Sequence, residues 1–263
     1  MGQVSIWESD NREALLYVTI KTPTKKRFFL VAKDSGKPNS DYAKREMEVE
    51  GERTIFFSFP LTPKEMTIGI YNIADRNDNN FKVTFEEKPL RKYNIWLDSD
   101  TKDFLTLDFY FSQVCGFSAA SPKGTLYQTA DSKFNIRYYP VIVDYMSGKV
   151  LNTPARIGHN TGNIDVAKAK FDRYTFAERV VILLHEFSHK YKNPKMGLDI
   201  SNETGADINA LYIYLGLGFS KIDAINVFAN VFLKAQTEGN KKRMRAIVDY
   251  IQKFENQQFA QLA

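Results

Sequence analysis

The chain has 263 residues, 43% hydrophobic and 25% charged, with 20 Phe and 14 Tyr, so one large domain or two ordinary ones with an aromatic core are expected. Its single cysteine, Cys115, excludes an intrachain disulfide and a thiolate zinc cluster and reads as a small buried hydrophobe. The net charge of +5 is modest and concentrated in the second half, no apolar run reaches the length of a membrane span, and Met1 to Glu8 lack the basic stretch and apolar run of a secretory signal. A cytoplasmic or virion-associated location, away from membranes, is therefore expected.

The first hundred residues read as β structure. Leu16–Ile20, Arg27–Val31, Thr54–Phe59, Met66–Tyr71, Phe81–Phe85 and Lys92–Trp96 are short runs of β-branched and aromatic residues. Turn material separates them, notably Asp34-Ser35-Gly36-Lys37-Pro38 and Asp75 to Asn80. Many short strands with polar turns predict a β-sandwich domain over residues 1–99. It carries no chemical constellation, so packing or docking is its expected role. Residues 101–117 fit both an alternating strand and a helical stripe of Phe104, Leu107, Phe111 and Val114; a helix capped by Asp100 and Asp103 is favoured. Phe117 to Gly124 reads as a connector.

Phe134–Tyr145, Ala155–Gly158 and Asn163–Val166 are candidate strands, and everything after 175 reads as helical. Lys241-Lys242-Arg243 with Arg245 is the densest basic run and reads as a solvated helix face. Without a zinc ribbon or nucleic-acid motif, nucleic acid is not an expected partner. An α+β chain follows, with its second domain over residues 100–263.

Within that domain, Thr175 and Glu178 form a capping box that starts a helix. The helix runs through Val180–Leu184 to His185-Glu186-Phe187-Ser188-His189, and Asn193-Pro194 is its expected end. Its apolar stretch is hydrophobic all round, which marks a buried helix. His185 and His189 are four apart and share one face, so two imidazoles can reach one metal ion. Glu186 lies on the adjoining side, within reach of a water at that metal. Satisfied core histidines are the plainer alternative, but buried histidines without partners are costly. A catalytic zinc takes three protein ligands and keeps one position open. Ser201-Asn202 reads as the next helix start, and that helix carries Glu203 and Asp207, again four apart. Glu203 can approach the metal while Asp207 sits one turn deeper, placed to hold a histidine's second nitrogen.

His185-Glu186-x-x-His189 followed by Asn202-Glu203-x-x-x-Asp207 resembles the gluzincin metallopeptidases, a zincin group that includes thermolysin. The resemblance spans about residues 130–215 and implies a compact zincin-like domain with a small sheet, an active-site helix and C-terminal helices. It implies zinc as cofactor, His185, His189 and Glu203 as ligands, Glu186 as general base and Asp207 as support for a histidine. It also implies an edge strand, here 155–166, along which an extended peptide or protein substrate binds. Thirteen residues separate His189 from Glu203, fewer than in thermolysin. The family's oxyanion donor is not placed by the motif; Tyr212, Tyr214 and His159 are the candidates.

Two functions follow. One is a zinc metalloendopeptidase, a hydrolase. The other is a structural component of a large assembly, such as a phage virion or tail, in which the metallopeptidase-like domain is a scaffold and neighbouring subunits are the partners. The plain β domain and the Lys-, Asn-, Phe- and Tyr-rich composition motivate the second.

Overall fold

A computed structural model describes residues 2–37, 40–144, 146–191, 193–199 and 202–260, with side chains 257–260 excepted. Pro38, Tyr145 and Ser201, which belong to an expected turn, strand and helix start, lie outside the described residues. The chain is α+β, as its pattern predicts. It forms two compact units, one within Met1–Lys92 and Gly218–Ser220, the other within Tyr93–Leu217 and Lys221–Ala263.

In the first unit the strands expected of the β-sandwich join into one continuous antiparallel sheet. They are β1 (Gln3–Trp7), β2 (Ala14–Asp34), β3 (Asp41–Phe59), β4 (Met66–Asn72) and β5 (Lys82–Lys88), in the order β1-β4-β2-β3 with β5 also on β2. Leu16–Ile20 and Arg27–Val31, expected as separate strands, are two halves of β2. Between them the ladder with β3 shifts register from Thr22↔Gly51 to Lys26↔Val49. That irregularity takes in Pro23, which has no N–H to give the ladder, and follows the pairing of Thr22 with Gly51, which is at φ +74°. Alternation then buries Ala14, Leu16, Val18 and Ile20 on one face.

Lys92–Trp96 is not the expected strand. The segment is irregular and is held by α4 (Glu203–Gly216). Tyr93 N donates to Gly216 O at 3.0 Å and Trp96 N to the Tyr212 hydroxyl at 2.8 Å. These long-range partners supply what a neighbouring strand would have supplied.

The second unit contains a four-stranded sheet, β6 (Thr125–Gln128), β7 (Asn135–Tyr139), β9 (Ile164–Ala167) and β8 (Ala155–Ile157), in that spatial order. β7 and β9 are parallel, and β8 runs antiparallel to β9 at the edge. The helices are α1 (Ser99–Val114), α2 (Lys168–Phe171), α3 (Phe176–Ser188), α4, α5 (Lys221–Val227) and α6 (Glu238–Ala260). The 101–117 region is therefore helical, as favoured. Its cap is Asp98, whose Oδ1 accepts from Thr101 N at 2.8 Å, and not Asp100 or Asp103. α3 stops at Ser188, ahead of Asn193-Pro194, which instead opens a short 3₁₀ turn.

An aromatic cluster fixes α3 against α1 and the sheet. Phe187 stacks on Phe104 at 4.2 Å between ring centroids and on Tyr191 at 4.7 Å, with Phe134 edge-on at 5.7 Å. Cys115 is buried as expected, and burial pushes its thiol up to about 12. Phe187→Ala should lower the stability of this unit by about 3–5 kcal/mol, read as a reduced denaturation midpoint; a loss below about 1 kcal/mol would show that the stack does not anchor the helix.

Candidate metal centre

The position of the site follows from two helix starts. Thr175 Oγ1 accepts from Glu178 N at 3.3 Å, and Glu178 Oε2 accepts from Thr175 N at 2.8 Å, the reciprocal capping box the sequence predicts. From that start α3 is buried at every residue from Val180 to Ser188. Asn202 caps α4, its Oδ1 accepting from Thr204 N at 2.8 Å and Gly205 N at 3.1 Å. Glu203 thus falls in the first turn and Asp207 one turn on. α4 packs on α3, and Asn209 fastens the two: its Nδ2 donates to Ser188 Oγ at 2.9 Å while its Oδ1 accepts from Asn193 N at 3.3 Å.

The two starts bring His185, His189 and Glu203 together. The histidine Nε2 atoms stand 3.1 Å apart. Glu203 Oε2 is 3.6 Å from His185 Nε2, and its Oε1 is 3.7 Å from His189 Nε2. Among the described residues this is the one group of three with metal-ligand chemistry at such spacing. The donor set fits zinc: two nitrogens about 2.0–2.1 Å from a tetrahedral ion lie about 3.3 Å from each other.

The electrostatics differ from residue to residue. Burial pulls His185 toward neutrality, but Asp207, Glu186 and Glu203 outweigh it, and its pKa lies above the usual histidine value. Its Nδ1 is 3.0 Å from Asp207 Oδ1, at ion-pair distance but off the line of a good hydrogen bond. In the neutral ring this contact favours the proton on Nδ1 and turns the Nε2 lone pair toward Glu203 and His189. Burial and the neighbouring His185 hold His189 below its usual pKa, so it too offers a lone pair. Phe232, in a π-helical segment Phe228–Phe232, lies over the His185 ring with centroids 4.0 Å apart.

Glu186 is buried, and burial raises its pKa from the usual carboxylate value. Its Oε2 accepts from Ile157 N of the edge strand β8 at 2.8 Å. Of the stretch 155–166 expected as the edge, Ala155–Ile157 forms it and lies beside the motif glutamate, whereas Ile164–Val166 belongs to the inner strand β9, the partner of β8 among the described residues.

The candidate oxyanion donors have different surroundings. The Tyr212 hydroxyl is engaged by the backbone of Trp96. Tyr214 is fully buried in the body of α4. His159 is exposed, in the turn that follows β8.

Arg243, read from the sequence as part of a solvated face, is turned inward. Its Nε donates to Asp207 Oδ2 at 2.8 Å and its Nη2 to Asp207 Oδ1 at 2.9 Å. Nη2 is also 3.0 Å from Glu203 Oε2. Lys241 of the same run does keep to the surface, paired with Glu238. A signal was present in the sequence: Arg243, Ile247, Ile251 and Phe254 share helical spacing, and the last three are buried. Comparisons with protein-family models, curated proteins and solved structures give no match for this chain.

A ligand bound only by the folded state stabilises it by mass action. Free zinc at 100 times its Kd should raise the stability of the native chain by about 2.7 kcal/mol, visible as a higher melting temperature that EDTA reverses. His189→Ala should show no such rise. Equal responses from both proteins would place the metal elsewhere.

Proposed function

We propose that this protein is a zinc-dependent metallopeptidase that hydrolyses peptide bonds. The supporting observation is the convergence of His185 Nε2, His189 Nε2 and the Glu203 carboxylate, with the buried Glu186 carboxylate next to His185 in sequence and bonded to the edge strand β8. His185, His189 and Glu203 would hold the ion, and Asp207 keeps His185 in the ligating tautomer. Bound there, zinc would polarise the scissile carbonyl and lower the pKa of water to roughly 7.

Glu186 is the proton carrier. Its raised pKa makes it a stronger base than an exposed carboxylate. It takes a proton as water adds to the carbonyl carbon, and it returns that proton to the nitrogen as the C–N bond breaks. An extended substrate laid alongside β8, the strand whose Ile157 N–H holds Glu186, would bring a peptide bond beside that carboxylate.

Glu186→Gln preserves size and hydrogen bonding but cannot accept the proton. It should retain one zinc per chain by elemental analysis, while cleavage of an unstructured peptide falls by about 100-fold or more. Cleavage at the native rate by this variant would sink the mechanism.

A further inference from the structure

We infer that Arg243 is a positioning residue for the metal ligands: from α6 it sets the rotamer of Glu203 and, through Asp207, the ring orientation of His185. The inference rests on the proposed zinc site and concerns a residue outside the His-Glu-x-x-His and Glu-x-x-x-Asp patterns.

Glu203 needs such support. Its side chain is 55% exposed, so its torsions would otherwise be free, and it stands at the first turn of a helix, where a carboxylate has many solvated alternatives. Arg243 Nη2 lies at 3.0 Å from Oε2, the oxygen nearer to His185, while Oε1 faces His189. The guanidinium fork grips Asp207 by two donors, a planar bidentate geometry that a lysine ammonium cannot reproduce. One planar group thus touches a ligand and the residue that orients another ligand. At 14% exposure its own position is fixed by packing.

Two effects of Arg243 on a dication oppose each other. Its positive charge repels the ion, whereas its geometry holds the ligands ready for it. Substitution separates the two. If positioning dominates, Arg243→Lys and Arg243→Gln should both weaken zinc binding, by about 10- to 100-fold, the range for residues that orient metal ligands. If charge alone mattered, Lys would bind as the native chain does and Gln would bind more tightly.

The experiment measures zinc affinity of the full chain by competition with a chromophoric chelator, with circular dichroism to confirm folding. Cobalt substitution supplies the second readout: loss of ligand order should reduce or shift the visible d–d bands in both variants. Should Arg243→Gln fail to fold, Arg243→Lys decides, because positioning requires loss there too. Native affinity and an unchanged cobalt spectrum in Arg243→Lys overturn the inference while leaving the metal site intact. Absence of zinc binding by the native chain overturns the site itself, and the inference with it.

Discussion

Asp207 has no exposed surface, and a carboxylate taken out of water must be met by opposite charge or by hydrogen-bond donors. Burial works against its ionised form, yet His185 and Arg243 outweigh that effect and hold its pKa below the usual carboxylate value. This single anion therefore ties three helices at one point: α3 through His185, α4 through its own backbone, α6 through Arg243. Removing one partner of a buried ion pair typically costs about 3–5 kcal/mol, a large part of the roughly 5–15 kcal/mol that stabilises an ordinary domain. The geometry of the site and the packing of the helices around it are thus one problem with one solution.

The rest of the site is arranged around that fixed point by graded burial. Val180–Leu184 carry α3 into the interior, and the helix brings His185 and Glu186 in with them. His185 is closed off beneath Phe232, whereas His189 at the C-cap keeps 21% of its side chain exposed. Glu203 is more exposed still. A small ion or water would therefore approach from the His189 and Glu203 side, while the His185 side stays fixed. Glu186, bonded to β8, sits where the helix meets an edge strand of the sheet. In the proposed enzyme this gradient separates rigid orientation from substrate access.

Local chemistry was legible in the sequence; long-range partnership was much less so. The capping box at Thr175 and Glu178, the 3.6-residue spacing of His185 with His189, and that of Glu203 with Asp207 depend on neighbours within one or two turns. The structure reproduces the capping box and the histidine pair, and it places Glu203 and Asp207 one turn apart on α4. Arg243 escaped because its partners lie 36 residues or more away and because the two adjacent lysines suggested a solvated face. The apolar stripe through Ile247, Ile251 and Phe254 was the available correction. Lys92–Trp96 has strand composition, but its backbone donors are taken by α4, a choice composition cannot reveal. Leu16–Ile20 and Arg27–Val31 stand apart in composition, whereas in the structure a register shift between Thr22 and Lys26 keeps them within one strand. For α1, the cap fell to Asp98 because its side chain reaches the free N–H of Thr101, one of three nearby aspartates that composition treats alike.

The most direct test of a zinc centre on His185, His189 and Glu203 is anomalous diffraction from crystals grown with zinc, recorded on both sides of the zinc absorption edge. The expected result is one strong anomalous peak per chain, about 2.0–2.2 Å from His185 Nε2, His189 Nε2 and a Glu203 carboxylate oxygen. No peak there, or zinc held only by surface carboxylates, would contradict it.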